Sequence, residues 1–202
     1  FRRYQTGSVW RNEKPGPGRF RQFTQFDADS VGADSVAADA ELAMLGADSL
    51  EHLGLKRGDY QITMNYRKTL DGVLESASIT PSAEENEVQR LTVLRAIDKL
   101  ERLGQEGVQL LLGEGRKDES GDFTKGAGLE PKQIDQILAY LAASSDQRTD
   151  VLGNLESLVA SSEIGQEGLK ELRDIDDLLS AGGFKADRVR FDPTIVRGLD
   201  YY

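Results

Sequence analysis

The amino-acid sequence predicts an α+β fold, in which an antiparallel sheet with helices is interrupted by a long helical insertion. Three observations lead to this prediction. β-favouring residues with a turn between them occupy positions 4–29, helical periodicity dominates positions 81–183, and β-favouring residues return from position 188. Strands on both sides of a helical block are typical of α+β proteins.

The first predicted element is a β-hairpin. Residues 4–11 and 20–29 are rich in aromatic and other β-favouring side chains. Residues 14–18 between them read Lys-Pro-Gly-Pro-Gly, a cluster that favours a turn and cannot sustain a strand ladder. The two-residue period of a strand then places five side chains on one face of the second strand: Arg21, Phe23, Gln25, Asp27 and Asp29.

A helix and a third strand are predicted next. Leucines at positions 42, 45, 50 and 53 have helical spacing, and Gly54 follows as a stop signal. We expect a helix over residues 39–53 that covers one face of the sheet. Residues 60–66 alternate with a period of two, which predicts a strand.

The central part of the chain is predicted to be almost wholly helical. Apolar residues recur at helical spacing over four stretches, 88–100, 134–141, 151–159 and 169–179, and a Gly- and charge-rich stretch at 113–128 interrupts them. We interpret residues 81–183 as a helical insertion between two parts of one core, residues 1–80 and residues 184–202. The acidic residues at 174, 176 and 177 are interpreted as a solvated helix face.

Composition excludes several classes of protein. The 202 residues are 38% hydrophobic and 30% charged, and no apolar run approaches the roughly 18 residues that a membrane span needs, so we expect a soluble protein. The absence of Cys excludes a disulfide framework, a thiolate nucleophile and a Cys-ligated zinc, and it suits a reducing cytosol. The one His, His52, is interpreted as a surface residue at the end of a helix.

The charge distribution points to the first predicted hairpin. The whole chain has a net charge of −10, which argues against a generic nucleic-acid binder. Residues 1–21 nevertheless contain six basic side chains and one acidic side chain. Positive charge is therefore concentrated in this hairpin, either as a binding surface for an anionic group or as a solvated basic strand.

Two stretches resemble motifs of one family. Residues 11–29, from Arg-Asn-Glu through Gly-Arg to Gln-Phe-Asp-Ala-Asp, resemble motif 2 of the class II aminoacyl-tRNA synthetases. Residues 196–202, Val-Arg-Gly-Leu-Asp-Tyr-Tyr, resemble the histidine-specific signature of the histidyl-tRNA synthetases, with Ile195 where that signature has Leu. The resemblance implies the antiparallel sheet of the class II catalytic domain. It also implies activation of histidine by ATP to histidyl-adenylate, transfer to tRNA(His), and a cytoplasmic homodimer without a membrane partner.

The resemblance assigns the ATP-binding residues. Arg11 is predicted to be catalytic and to bind the α-phosphate and the amino-acid carboxylate, since a guanidinium can bridge two oxygens. Glu13 is expected to accept a hydrogen bond from adenine, Phe23 to stack on it, and Arg19 to bind the γ-phosphate. ATP is a substrate in this prediction, and Mg²⁺ is expected although the sequence identifies no protein ligand for it.

The resemblance also assigns a histidine pocket. Gln25 and Asp29 are predicted to bind histidine, with Asp29 at a position where many bacterial members have Glu. Arg11 and Arg197 are expected to contact the same ligand, and Arg197 to stabilise charge at the α-phosphate as a second catalytic residue. In other class II enzymes a metal ion does part of that work. Tyr201 and Tyr202 are expected to line the imidazole pocket.

Two alternatives stay open at this point. The regulatory subunit of ATP phosphoribosyltransferase is a non-catalytic, histidine-sensing paralogue with the same fold, and a pseudo-synthetase domain of a signalling protein is a third possibility. The three phosphate-directed arginines at 11, 19 and 197 favour the enzyme. The sequence lacks an initiator Met and the family's motifs 1 and 3 and anticodon-binding domain. We therefore expect a piece of a longer protein that is inactive on its own.

Overall fold

The computed structural model describes residues 1–12, 14, 16–80, 84–117 and 121–196, and the remaining residues lie outside the description. This part of the chain contains six strands and seven helices, and the predicted α+β class is confirmed. In chain order the elements are β1 (Arg2–Trp10), β2 (Gln22–Ser30), α1 (Ala37–His52), β3 (Ile62–Met64), α2 (Arg67–Ser76), α3 (Glu84–Ile97), α4 (Leu100–Leu112), β4 (Gly115–Lys117), β5 (Phe123–Lys125), α5 (Pro131–Leu141), α6 (Arg148–Val159), α7 (Glu163–Ala181) and β6 (Val189–Phe191).

The predicted N-terminal hairpin is confirmed. β1 and β2 pair antiparallel, with Arg2 opposite Ser30 at the open end. At the tip the Arg19 backbone N–H donates to the carbonyl of Gly16 at 2.9 Å. Gly18 has a φ of +71° and follows Pro17, which is the residue pattern of a type II turn. The Pro/Gly cluster therefore closes the hairpin.

The strand predicted before the helical block pairs with the strand after it. β3 and β6 lie parallel, with Ile62 opposite Val189. Parallel strands need a crossover connection, and α2 to α7 lie within it. Only Val189–Phe191 forms the returning strand. The prediction of a strand beyond it is wrong for residues 192–196, which form a turn, because Pro193 has no N–H to continue a ladder.

Helices from both sides of residue 81 share one hydrophobic core. α7 contacts α1, α2 and α6, and α2 also contacts α5 and α6. The side chains of Leu70, Leu74, Ile137, Leu155, Leu172 and Ile175 are among the most buried in the described structure. α5 to α7 are thus packed onto the helices that precede the predicted insertion, and the boundaries at 81 and 183 stay a prediction.

The helix predicted over residues 39–53 is confirmed, although the leucines whose spacing predicted it do not form its buried face. Leu42 and Leu45 are 39% and 41% exposed and Leu53 is 78% exposed. The buried residues of α1 are Ala40, Ala43 and Ala47. These small side chains allow close approach to α7 and β3, which α1 contacts. Leu42 and Leu45 instead line a cavity of about 280 Å³ between α1 and the hairpin.

Within the described residues, none of the helices combines the length and the apolar character needed to cross a membrane.

Candidate functional site

One face of the β1–β2 hairpin carries a row of mostly polar side chains. Directly opposed residues of antiparallel strands point to the same face of the sheet. Four opposed pairs lie on this face: Arg3 with Asp29, Gln5 with Asp27, Gly7 with Gln25, and Val9 with Phe23. We call this surface the polar row. The two-residue period therefore correctly predicted which side chains of β2 share this face.

Arg11 lies at the end of the polar row nearest the hairpin tip. Its backbone N–H donates to the carbonyl of Arg21 at 2.9 Å, which extends the strand pairing by one step. Its guanidinium carbon lies 5.4 Å from the centre of the Phe23 ring, within cation–π range. Nη2 of the same group lies 3.3 Å from Oε1 of Gln25. Arg11 thus contacts an aromatic ring and an amide at once while its side chain stays exposed.

Asp27 fixes the orientation of Gln25. Nε2 of Gln25 donates to Oδ1 of Asp27 at 2.5 Å, and Nε2 of Gln5 approaches Oδ2 of Asp27 at 3.5 Å. Because the amide nitrogen of Gln25 is held by a carboxylate, its oxygen is left to face Arg11. Sequence reasoning placed Asp27 on this face but gave it no role.

Asp29 is paired with a residue that the sequence analysis did not single out. Nε of Arg3 donates to Oδ2 of Asp29 at 2.7 Å, and the two side chains are 51% and 41% exposed. An ion pair this exposed contributes little free energy, so a ligand ammonium group can replace the guanidinium. The strand register of the structure puts Arg3 directly opposite Asp29.

The structure brings together part of the predicted site. Arg11 contacts both Phe23 and Gln25. Asp29 lies on the same face about 14 Å beyond Gln25, at about 3.4 Å per residue. Arg19 lies at the hairpin tip. The predictions for Glu13, Arg197, Tyr201 and Tyr202 fall outside the described residues.

Among the residues that the structure describes, the acidic and histidine side chains form no metal site. Within the described ranges, no three His, Cys, Asp or Glu residues are grouped so that they could hold a metal ion. His52 lies in the last turn of α1, where its Nδ1 is 2.9 Å from the carbonyl of Asp48. Its side chain is exposed, and the prediction of a surface residue at a helix end is confirmed.

The fold is that of an α+β protein. The polar row on its exposed hairpin face could bind a ligand that carries an anionic group next to a planar ring, because Arg11 lies beside Phe23 there. The model of the family described as histidyl-tRNA synthetase matches residues 2–202. The chain belongs to the histidyl-tRNA synthetase family, and the suspected resemblance is confirmed.

Individual relatives agree with this assignment. The chain is 60% identical to the histidine–tRNA ligase of Methylocella silvestris over 202 residues, which is all of this chain and 40% of that protein. It is 55% identical to the histidine–tRNA ligase of Brucella ovis over the same share of each chain. The crystal structure of histidyl-tRNA synthetase from Nostoc sp. PCC 7120 has a TM-score of 0.77 and 29% identity, and the match covers 100% of this chain and 42% of that chain. The chain therefore spans about 40% of the length of these curated relatives.

Proposed function

We propose that the parent protein, the gene product in which residues 1–202 occur, is a histidine–tRNA ligase. It activates histidine with ATP to form histidyl-adenylate and pyrophosphate, and it then transfers the histidyl group to tRNA(His). We propose further that it is a cytoplasmic homodimer and that residues 1–202 are inactive alone. Family membership over residues 2–202 supports the reaction.

The observation that carries this proposal is the position of Arg11 between Phe23 and Gln25. The guanidinium lies 5.4 Å from the ring centre and 3.3 Å from the amide oxygen. In the proposed complex adenine stacks on Phe23 and histidine binds near Gln25, so Arg11 lies where the two substrates meet. There it binds the α-phosphate and the histidine carboxylate, and it stabilises the charge that develops as the carboxylate attacks phosphorus.

The proposed ATP contacts extend toward the hairpin tip. Glu13 accepts a hydrogen bond from adenine, and Arg19 binds the γ-phosphate. Arg19 is the last residue of the Gly16–Arg19 turn, so a small change in that turn would move its side chain toward the nucleotide. Arg197 adds a second positive charge at the α-phosphate.

The proposed histidine contacts extend in the other direction along the polar row. Gln25, which Asp27 orients, accepts a hydrogen bond from histidine with its amide oxygen. The carboxylate of Asp29 binds the α-amino group of histidine, which replaces the guanidinium of Arg3. Tyr201 and Tyr202 complete the imidazole pocket.

We assign no step to Mg²⁺. The described residues provide no group of acidic side chains that fits it. Mg²⁺ is commonly held largely by substrate phosphates, and we propose that it reaches this site with ATP.

We propose the domain organisation predicted from the sequence, with residues 1–80 and 184–202 as two parts of the catalytic core and residues 81–183 as an insertion near tRNA(His). The parallel pairing of β3 with β6 supports this organisation, because it joins the two proposed core segments directly.

Histidine-dependent exchange between ATP and pyrophosphate by the parent protein tests the proposal. We expect exchange with histidine and not with other amino acids, and a loss of about 100- to 1,000-fold in Arg11→Ala, the range for removing one donor to a developing charge. Arg2→Ala is the matched control. Arg2 lies on the opposite face of β1 and forms an exposed ion pair with Glu41 at 2.7 Å, so its loss should leave exchange unchanged.

A folded parent protein that binds histidine without exchanging pyrophosphate would overturn the ligase function. That result would instead support the regulatory paralogue of ATP phosphoribosyltransferase. Equal exchange by Arg11→Ala and Arg2→Ala would show that the enzyme does not use Arg11 in this way.

A further inference from the structure

The turn that follows β6 leads directly to Arg197, two residues beyond Ile195 in the sequence. Its start is fixed by the carboxylate of Asp192. Oδ1 of that residue accepts the backbone N–H of Thr194 at 3.0 Å and the Thr194 hydroxyl at 2.7 Å. The hydroxyl of Ser144 also donates to it at 3.2 Å. These side-chain bonds hold residues 192–194, and the backbone N–H of Ile195 donates to the carbonyl of Asp192 at 3.1 Å.

The side chain of Asn65 holds the rest of the turn. Its Nδ2 lies 3.1 Å from the carbonyl oxygen of Ile195 and 3.3 Å from that of Pro193. Asn65 lies between β3 and α2, and its bond to Ile195 spans 130 positions of the sequence. One amide group therefore joins the first part of the proposed core to the segment that leads to Arg197.

Asn65 is itself held in one orientation by its neighbours. Its Oδ1 accepts the backbone N–H of Tyr66 at 2.8 Å, and its Nδ2 is 3.0 Å from the hydroxyl of Tyr140. Tyr140 is fully buried, and its hydroxyl also lies 3.1 Å from Oγ1 of Thr69. Burial raises the pKa of Tyr140 to about 12, so the hydroxyl stays protonated at neutral pH.

Packing holds the end of the turn, where the side chain of Val196 is buried in the hydrophobic core, but it leaves space beside the turn. A cavity of about 220 Å³ lies between residues 194–196 and the junction of α3 with α4, where Ile97 and Leu100 line it. Ile195 is 42% exposed. Because there is space for the turn to shift toward this cavity, the hydrogen bonds from Asn65 are needed in addition to the packing of Val196 to hold its position.

We propose that Asn65 is a positioning residue, which places Arg197 for the chemical step by binding the carbonyl oxygens of Pro193 and Ile195. This proposal rests on the proposed ligase function. Asn65 does not touch the substrates in this scheme, and it acts through the backbone. Loss of its donors lets residues 193–196 move, so the charge of Arg197 is displaced from the α-phosphate in the transition state.

The test uses three variants of the parent protein. Asn65→Ala removes the whole amide. Asn65→Asp has nearly the same shape and keeps the acceptor for the Tyr66 N–H, but it loses both N–H donors and faces two carbonyl oxygens. Gln61→Ala is the matched control. The Gln61 amide also donates to a backbone carbonyl, that of Ala186, at 2.8 Å. Ala186 precedes the start of β6, whereas Arg197 follows its end.

The first readout is steady-state pyrophosphate exchange. Misplacement of a reacting group by about 1 Å can cost about 100-fold in rate, so we expect kcat to fall about 10- to 100-fold in both Asn65 variants. The KM values for ATP and histidine should stay within about threefold, because an interaction made only in the transition state affects kcat. Gln61→Ala should match the wild type.

The second readout is amide hydrogen exchange, which does not need activity. We expect faster exchange at the N–H groups of Thr194 and Ile195 in both Asn65 variants and not in Gln61→Ala. Folded Asn65 variants with wild-type kcat, or with unchanged protection at these amides, would overturn the proposal. A wild-type parent without histidine-dependent exchange would refute the ligase function instead, and the hydrogen-exchange comparison would still decide whether Asn65 fixes the turn.

Discussion

At the scale of single residues, two buried arginines fix the strand that leads toward the histidine signature. Arg188 is 6% exposed and forms ion pairs with Asp48 at 2.6 Å and with Glu51 at 2.9 Å. Arg148 is 5% exposed and donates to Asp176 at 2.5 Å and to the carbonyl of Val189 at 2.8 Å. The interpretation of Asp176 as a solvated residue is therefore wrong, because its partner approaches from α6.

Removing Arg148, the partner of Asp176, should lower the free energy of unfolding. Arg148→Met leaves a carboxylate that is only 16% exposed without its cation, and we expect the free energy of unfolding to fall by about 3 kcal/mol. The double variant Arg148→Met/Asp176→Leu should regain most of this loss, since no buried charge is left unpaired. Urea unfolding of the parent protein measures both values. The argument fails if the single variant is as stable as the wild type.

At the scale of secondary-structure elements, α2 and α7 come into close contact through glycine residues. A Cβ atom added to Gly72 would lie 2.3 Å from the Cα of Gly165, and one added to Gly168 would lie 2.9 Å from the backbone nitrogen of Thr69. Both short contacts involve backbone atoms, which cannot move aside as the end of a side chain can. The spacing of these two helices is therefore set by residues without side chains.

The same substitution should have opposite effects at two helical glycines. Gly72→Ala forces α2 away from α7, and overpacking of this kind costs about 1 to 3 kcal/mol. Gly153 lies on the exposed side of α6, and an added Cβ would meet no atom within 4 Å. Gly153→Ala should therefore raise stability by about 0.5 to 1 kcal/mol, because Ala loses less backbone entropy in a helix. Chemical unfolding of the two variants and of the wild type measures both changes in the free energy of unfolding. Changes of the same sign in the two variants would contradict the close contact assigned to α2 and α7.

At the scale of the whole molecule, the two strands of the hairpin pack mainly on each other, and the hairpin meets α1 through the ion pair of Arg2 with Glu41. The face opposite the polar row exposes aromatic rings, with Tyr4 77%, Trp10 70% and Phe26 57% accessible. Within the described residues β1 and β2 form a sheet of only two strands. Isolated two-stranded sheets are marginally stable, and exposed apolar faces and open edges promote association.

Residues 1–202 expressed alone should self-associate through this aromatic face. We expect Tyr4→Lys/Phe26→Lys to shift the protein toward the monomer, as measured by sedimentation velocity over a range of concentrations. Leu53→Lys/Val88→Lys is the control, since it adds the same charge at residues that are 78% and 62% exposed elsewhere. Equal effects of the two double variants would assign the change to net charge and contradict a role for the hairpin face.

Much of the candidate site was predictable because it lies in one local hairpin. The alternation of residues 21–29 and the Pro/Gly turn depend on neighbours in the sequence, and the structure confirms the strand pair and the shared face of Phe23, Gln25 and Asp29. The pairing of Arg3 with Asp29 and the control of Gln25 by Asp27 were missed. The pairing of Arg3 with Asp29 depends on the register between the strands, which the strand periods alone do not set, whereas Gln25 and Asp27 are neighbours on the same face of β2.

The sequence by itself determined the family, the hairpin and the positions of α1 and of the helices after residue 130, since motifs, turn residues and apolar periods are local properties. Only the tertiary structure decided which face of α1 is buried, that β3 lies beside β6, and that Asn65 reaches Ile195. The physical reason is that an apolar period shows that a segment has two faces, whereas burial depends on the element that packs against it. For α1 that element is α7, more than a hundred residues away, where small alanines fit better than leucines.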